Sequence, residues 1–147
     1  VRQMGGVFAA GLLHDIGRVA LAEVIPDQYA QLDQNVSGGE LIAAEQHLLG
    51  LAHPEAGYML AEYWGLPGFL CETIRFHHRP EYAENARELV LVVGLADVLT
   101  EARSQEGGEK EYVLAHGASY IEGLGIDEAV VQDLLDSVLA MPPVEAL

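Results

Sequence analysis

The chain has 147 residues and carries Lys+Arg 7 against Asp+Glu 23, a formal net charge of −16. Such a surface makes no broad footprint on a phosphate backbone, which argues against nucleic acid as a partner, and it is repelled by anionic membranes. No apolar run approaches the roughly eighteen residues of a bilayer span, and the single cysteine, Cys71, excludes an internal disulfide and fits a reducing cytoplasm. A small phosphate-containing ligand stays open, provided bound cations reverse the local potential.

The spacing of apolar residues predicts helices throughout. The first runs from about Gly6 to Glu23 on Val7, Leu12, Leu13, Ile16, Val19 and Ala20. Gly11 and Gly17 lower its propensity, and their expected use is close packing. Pro26 opens a second helix to about Gln34, and Asn35 to Gly39 form a loop. Ser37 reads as the N-cap of a third helix, with Glu40 completing a capping box. That helix carries Leu41, Ile42, Ala44, Glu45 and Leu48 and stops near Gly50. His53-Pro54 opens a fourth helix with Ala56, Gly57, Leu60 and a buried Trp64 on its inner face. A fifth runs from Gly68 to about His78, and Pro80 ends it.

Glu84 to Ser104 is the longest periodic segment. Its β-branched residues suit a strand, but its length and charged flanks favour a buried central helix. Tyr112 to Glu122 and Asp127 to Met141 follow, with Asp127 as an N-cap, and Pro142-Pro143 close the chain. The expectation is one all-α bundle of about seven helices spanning 1–147.

The chemistry gathers on a few positions. His14 and Asp15 stand side by side in an apolar run, where two polar groups are costly unless paired. Imidazole and carboxylate together suit a divalent transition metal such as iron, manganese, zinc or nickel, although a hydrogen-bonded pair in a core helix reads the same way. Asp97 follows Leu95-Ala96 in the central apolar segment and needs either a positive partner or hydrogen bonds. His53 opens a helix, and His77-His78 end one, where imidazolium also suits the helix dipole. Arg75 and Arg79 flank that pair and are expected to favour its neutral form. His47 and His116 read as surface or half-buried residues.

Taken in order, Gly11-Leu12-Leu13-His14-Asp15-Ile16-Gly17-Arg18, Glu45 to Gly50, His53 with Gly57, Trp64-Gly65-Leu66-Pro67, Ile74 and His77-His78-Arg79-Pro80 resemble the HDOD branch of the HD superfamily. The superfamily comprises metal-dependent phosphohydrolases, and the HDOD branch serves as an output domain in bacterial signalling proteins. The resemblance spans about Phe8 to Thr100. It implies a first metal position at His14, Asp15 and Asp97 and a second at His53, His77 and His78. It also places Arg18 where related phosphodiesterases carry a phosphate-touching lysine. Arginine grips phosphate through a fork instead.

Three departures accompany the resemblance. The superfamily's earlier histidine and the HDOD family's preceding helical half do not occur in this chain, which opens on Val1 almost inside a helix, so the chain reads as the C-terminal part of a longer protein. The Gly-Tyr-Pro element of the HD-GYP phosphodiesterases is replaced by Arg79-Pro80-Glu81-Tyr82. Two functions therefore stand side by side. One is a cytoplasmic signalling output or regulatory domain that contacts signalling proteins or an upstream input domain. The other is a phosphohydrolase acting on a nucleotide or other phosphate ester, with Asp15 and Arg18 as catalytic residues.

Overall fold

A computed structural model describes residues 2–33 and 35–142, with side chains from residue 5 on. The Gln34 end of the second predicted helix and the closing Pro143 lie outside the described residues. Among those residues all regular structure is helical, as the sequence spacing predicts. There are nine helices and one single turn, in the order α1 (Arg2–Leu13), α2 (Ile16–Val24), the single turn α3 (Pro26–Tyr29), α4 (Gly38–Leu49), α5 (His53–Tyr63), α6 (Gly68–Phe76), α7 (Arg87–Ala102), α8 (Glu109–His116), α9 (Ala118–Leu124) and α10 (Glu128–Leu139). A 3-10 turn at Pro80–Tyr82 precedes α7. No helix among the described residues is long and apolar enough to cross a membrane. The chain falls into two compact units, one up to Val93 and one from Gly94 on.

In the first unit α2 packs on α5, α5 on α6, and α1 on α6. The α2–α5 crossing is a backbone contact. A Cβ at Gly17 would lie 1.9 Å from the His53 carbonyl oxygen and 2.6 Å from the Gly57 amide nitrogen, and one at Gly57 would meet Ile74 at 2.7 Å. Only glycine allows that approach. Beside it, Ala61, Cys71 and Ile74 form one buried cluster, and Ala10, Leu70 and Val93 another. The start of α7 is fixed from α6. The Glu72 carboxylate accepts the backbone N–H of Glu84, of Asn85 at 2.9 Å and of Ala86 at 3.1 Å. The N–H groups of the segment that leads into α7 are thus satisfied by a side chain of α6.

The second unit buries Val113, Tyr120, Val131 and Leu135. Asp127 caps α10 as expected, accepting from the Val130 amide at 3.0 Å.

Several expectations need correction. The predicted helix Gly6 to Glu23 breaks at His14-Asp15, where Asp15 takes φ −100, ψ 14 instead of helical values. The predicted helix Tyr112 to Glu122 divides at Gly117 into α8 and α9. Trp64 is not buried. It caps the end of α5, past the last full turn, and is 53% exposed. Ser37 holds the N-cap position of α4 with extended backbone, but its side chain makes no capping hydrogen bond. Gly11 has no atom within 4 Å of a would-be Cβ, so close packing belongs to Gly17 alone of the pair.

The two glycines therefore separate in a mutagenesis test. Gly17→Ala forces α2 and α5 apart and should destabilise the protein by about 3 kcal/mol in urea unfolding. Gly11→Ala meets nothing and should be neutral, or stabilise by up to about 1 kcal/mol through helix propensity.

Candidate metal centre

The break between α1 and α2 decides where the dyad points. The His14 amide still bonds to the Ala10 carbonyl at 2.9 Å, and the Arg18 amide bonds to the Asp15 carbonyl at 2.9 Å. His14 and Asp15 therefore occupy a tight junction of two helices, not adjacent positions on one. The glycine crossing sets this junction against the first residue of α5, His53. His77 caps the end of α6, and His78 follows it. Four residues from these elements, Asp15, His53, His77 and His78, each offer a donor atom, and the four atoms lie within 4.8 Å of one another.

The hydrogen bonds settle which ring nitrogens face the cluster. Carbonyl and carboxylate oxygens only accept, so a ring nitrogen bonded to one carries the proton. His14 Nδ1 donates to the Gly11 carbonyl at 2.7 Å and His77 Nδ1 to the Ile74 carbonyl at 2.9 Å. His53 Nδ1 donates to Glu45 Oε2 at 2.6 Å. The Nε2 lone pairs then turn toward Asp15. His53 Nε2 lies 3.3 Å and His77 Nε2 3.5 Å from Asp15 Oδ1, and His14 Nε2 lies 3.8 Å from Oδ2.

His53 Nε2 and Asp15 Oδ1 are both buried, and neither makes a hydrogen bond. Two electron-pair donors facing each other in a desolvated place repel unless a cation lies between them. The mixed nitrogen and oxygen donor set fits a borderline divalent ion such as iron, manganese, zinc or nickel. Burial opposes ionisation of Asp15, but protonation of the facing His77, His14 and His53 rings outweighs it and holds the carboxyl well below the usual carboxylate range; with those rings neutral, a bound cation takes over that part.

Arg18 stands at the edge of this cluster. Its Nη1 lies 3.3 Å from Asp15 Oδ2 and its Nε donates to the Tyr29 hydroxyl at 3.4 Å, with its side chain partly open to solvent. Oδ2 of Asp15 thus faces Arg18 and His14, while Oδ1 faces His53 and His77. The arginines flanking His77-His78 are occupied elsewhere. Arg75 forms a two-point ion pair with Glu55 at 3.0 and 3.1 Å, and Arg79 stands over the Tyr82 ring. His47 and His116 are exposed, His116 beside the Tyr112 ring, as the sequence reading expects. Asp97 lies on α7 in the second unit.

Glu45 is a neighbour of the cluster that sequence reasoning left in the background. It is fully buried on α4 and accepts both the backbone N–H and the Nδ1–H of His53. A signal was present: Glu45 falls one turn after buried Leu41, on the inner face, where an unpaired carboxylate is not tolerated.

A sequence model of the HDOD domain matches residues 2–80. The chain belongs to the HDOD family. This HDOD chain is also 32% identical over 101 residues to an uncharacterized protein of Treponema pallidum (strain Nichols). That match takes in 62% of this chain and 18% of the relative, so the chain spans less than a fifth of that protein's length. No solved structure matches it. The HDOD match contains every residue of the Asp15–His53–His77–His78 cluster, together with Glu45 and Arg18.

Titration of the purified, chelator-stripped HDOD protein with zinc or manganese at pH 7.5 tests the cluster. His77→Ala should weaken binding at least about 100-fold, since it takes a donor atom out of the cluster and not merely a supporting partner. His116→Ala should leave binding unchanged, and equal loss in both variants would mean that the cluster is not the site.

Proposed function

We propose that this HDOD chain is a signal-transduction output or regulatory domain built on a bound divalent transition metal. Asp15, His53, His77 and His78 hold the ion, and the domain works in the cytoplasm through contacts with signalling proteins or an upstream input domain. The observation that carries this reading is the buried face-off of His53 Nε2 and Asp15 Oδ1, 3.3 Å apart with no hydrogen bond at either atom. The ion's first task is then structural. It ties the α1–α2 junction to the start of α5 and the end of α6, and a fold whose helices meet at one ion presents a defined surface.

The net charge of −16 supports partners that are proteins over partners that are phosphate esters or nucleic acid.

A metal-dependent phosphohydrolase is the second reading, and Arg18 is the observation that favours it. Its guanidinium lies beside the cluster and reaches solvent, in a place to grip a phosphate bidentately. A bound ion would supply Lewis acidity toward a phosphoryl oxygen. Hydrolysis of bis-p-nitrophenyl phosphate with added manganese or iron separates the two readings. The signalling reading expects wild-type turnover no higher than that of His53→Ala. Robust wild-type turnover, lost in both His53→Ala and Arg18→Ala, would overturn it in favour of the enzyme.

A further inference from the structure

Three histidines of the first unit present Nε2 toward Asp15, but their Nδ1 partners differ in kind. His14 and His77 donate to backbone carbonyls of their own helices, at Gly11 and Ile74. Those contacts are local, three residues apart, and neutral. His53 Nδ1 donates instead to a carboxylate, and the carboxylate comes from another helix. Glu45 on α4 is fully buried, His53 is 1% exposed, and the two meet at 2.6 Å. The same oxygen, Oε2, also accepts the His53 backbone N–H at 2.8 Å. Both the ring and the first peptide of α5 are therefore held by one atom. The other oxygen, Oε1, is buried and makes no hydrogen bond.

This arrangement is costly by itself. Burying a carboxylate with one oxygen unsatisfied destabilises the fold. A hydrophobic residue at position 45, one turn after Leu41, would pack the same helix face without that penalty. A cost of this kind in the core points to a role beyond packing.

We infer that Glu45 is a positioning residue: it selects the Nδ1–H tautomer of His53 and aims the Nε2 lone pair at Asp15. In a free neutral imidazole the proton prefers Nε2, and His53 in that tautomer would present an N–H to Asp15, closing the nitrogen to any ion. The carboxylate reverses the choice and adds negative charge behind the ring, which makes Nε2 a stronger donor than the neutral carbonyls make the other two. It also supplies one of the negative charges that a dication needs in a low-dielectric place. Glu45 touches no ion itself. It acts through His53, and it holds the α4–α5 turn in the shape that puts His53 opposite Gly17.

The inference rests on the metal reading for its purpose but not for its test, because the tautomer is read in the metal-free protein. Two-bond proton–nitrogen correlation spectra of 15N-histidine-labelled, chelator-stripped protein at pH 8 report which ring nitrogen of His53 carries the proton, with His53→Gln assigning the signal. The wild type should show His53 as the Nδ1–H form, with that proton strongly deshielded by the short bond to a carboxylate. Glu45→Gln keeps the size and an accepting oxygen, so the tautomer should persist while the proton resonance moves upfield. Glu45→Ala should shift His53 toward the Nε2–H form, and zinc binding should weaken by about 10–100-fold, with Glu45→Gln falling in between.

An Nε2–H tautomer of His53 in the wild type would overturn the inference. So would an unchanged His53 spectrum in both variants, the result expected if Glu45 only packs. Should Glu45→Ala fail to fold, the upfield shift in Glu45→Gln still decides. A wild type with the Nδ1–H form but no zinc or manganese affinity would uphold Glu45 as the positioning residue and remove the metal reading instead.

Discussion

The site depends on two glycines that let two helices touch backbone to backbone. Gly17 sits where any Cβ would fall inside the His53 carbonyl, and Gly57 packs against the same spot from the other helix. Each glycine weakens its own helix by roughly 1 kcal/mol relative to alanine. In exchange, the α1–α2 junction comes close enough for Asp15 to reach an imidazole that begins α5. With larger residues the two helices would separate by a few ångström, and Asp15 and His53 would no longer face one another. The spacing of the donor atoms is thus set by backbone contact, and not by long, adjustable side chains.

A second constraint is electrostatic and runs as a chain: Glu45, His53, Asp15, Arg18. Negative, neutral, negative and positive groups alternate across the first unit, joined at 2.6, 3.3 and 3.3 Å. The two outer links are satisfied by hydrogen bonds or ion pairing. The middle link, His53 to Asp15, is satisfied by neither, although both of its facing atoms are buried. The place where the protein's own groups leave an electron-rich gap is also where His77 and His78 converge. That coincidence gives the metal reading its weight, and a histidine count alone would not.

Much of this was legible in the residues, and the rest was hidden for identifiable reasons. The helical class follows from apolar spacing, and the donors His53, His77 and His78 stand out because each sits at a helix end, where side chains are free to turn inward. The break at His14-Asp15 was hidden because apolar periodicity continues on both sides of it; the junction shows only in the backbone angles of Asp15. Trp64 lies one position beyond the last turn of α5, where the chain already bends toward Gly65, so helical spacing overstates its burial. Glu45 was visible only as one acid among many in a strongly acidic chain. Its role emerges from a contact eight residues away, across a turn, which helical spacing does not encode. Gly17 and Gly11 looked alike in sequence, and only the partner helix tells them apart.

The central claim is that imidazole nitrogens and an Asp15 oxygen share one ion. X-ray absorption at the zinc edge of the stoichiometrically loaded protein tests it most directly. The account predicts nitrogen and oxygen neighbours at about 2.0–2.2 Å, with the outer-shell scattering of at least two imidazole rings, reduced by one ring in His53→Ala. A spectrum of oxygen neighbours alone, without imidazole scattering, would contradict it.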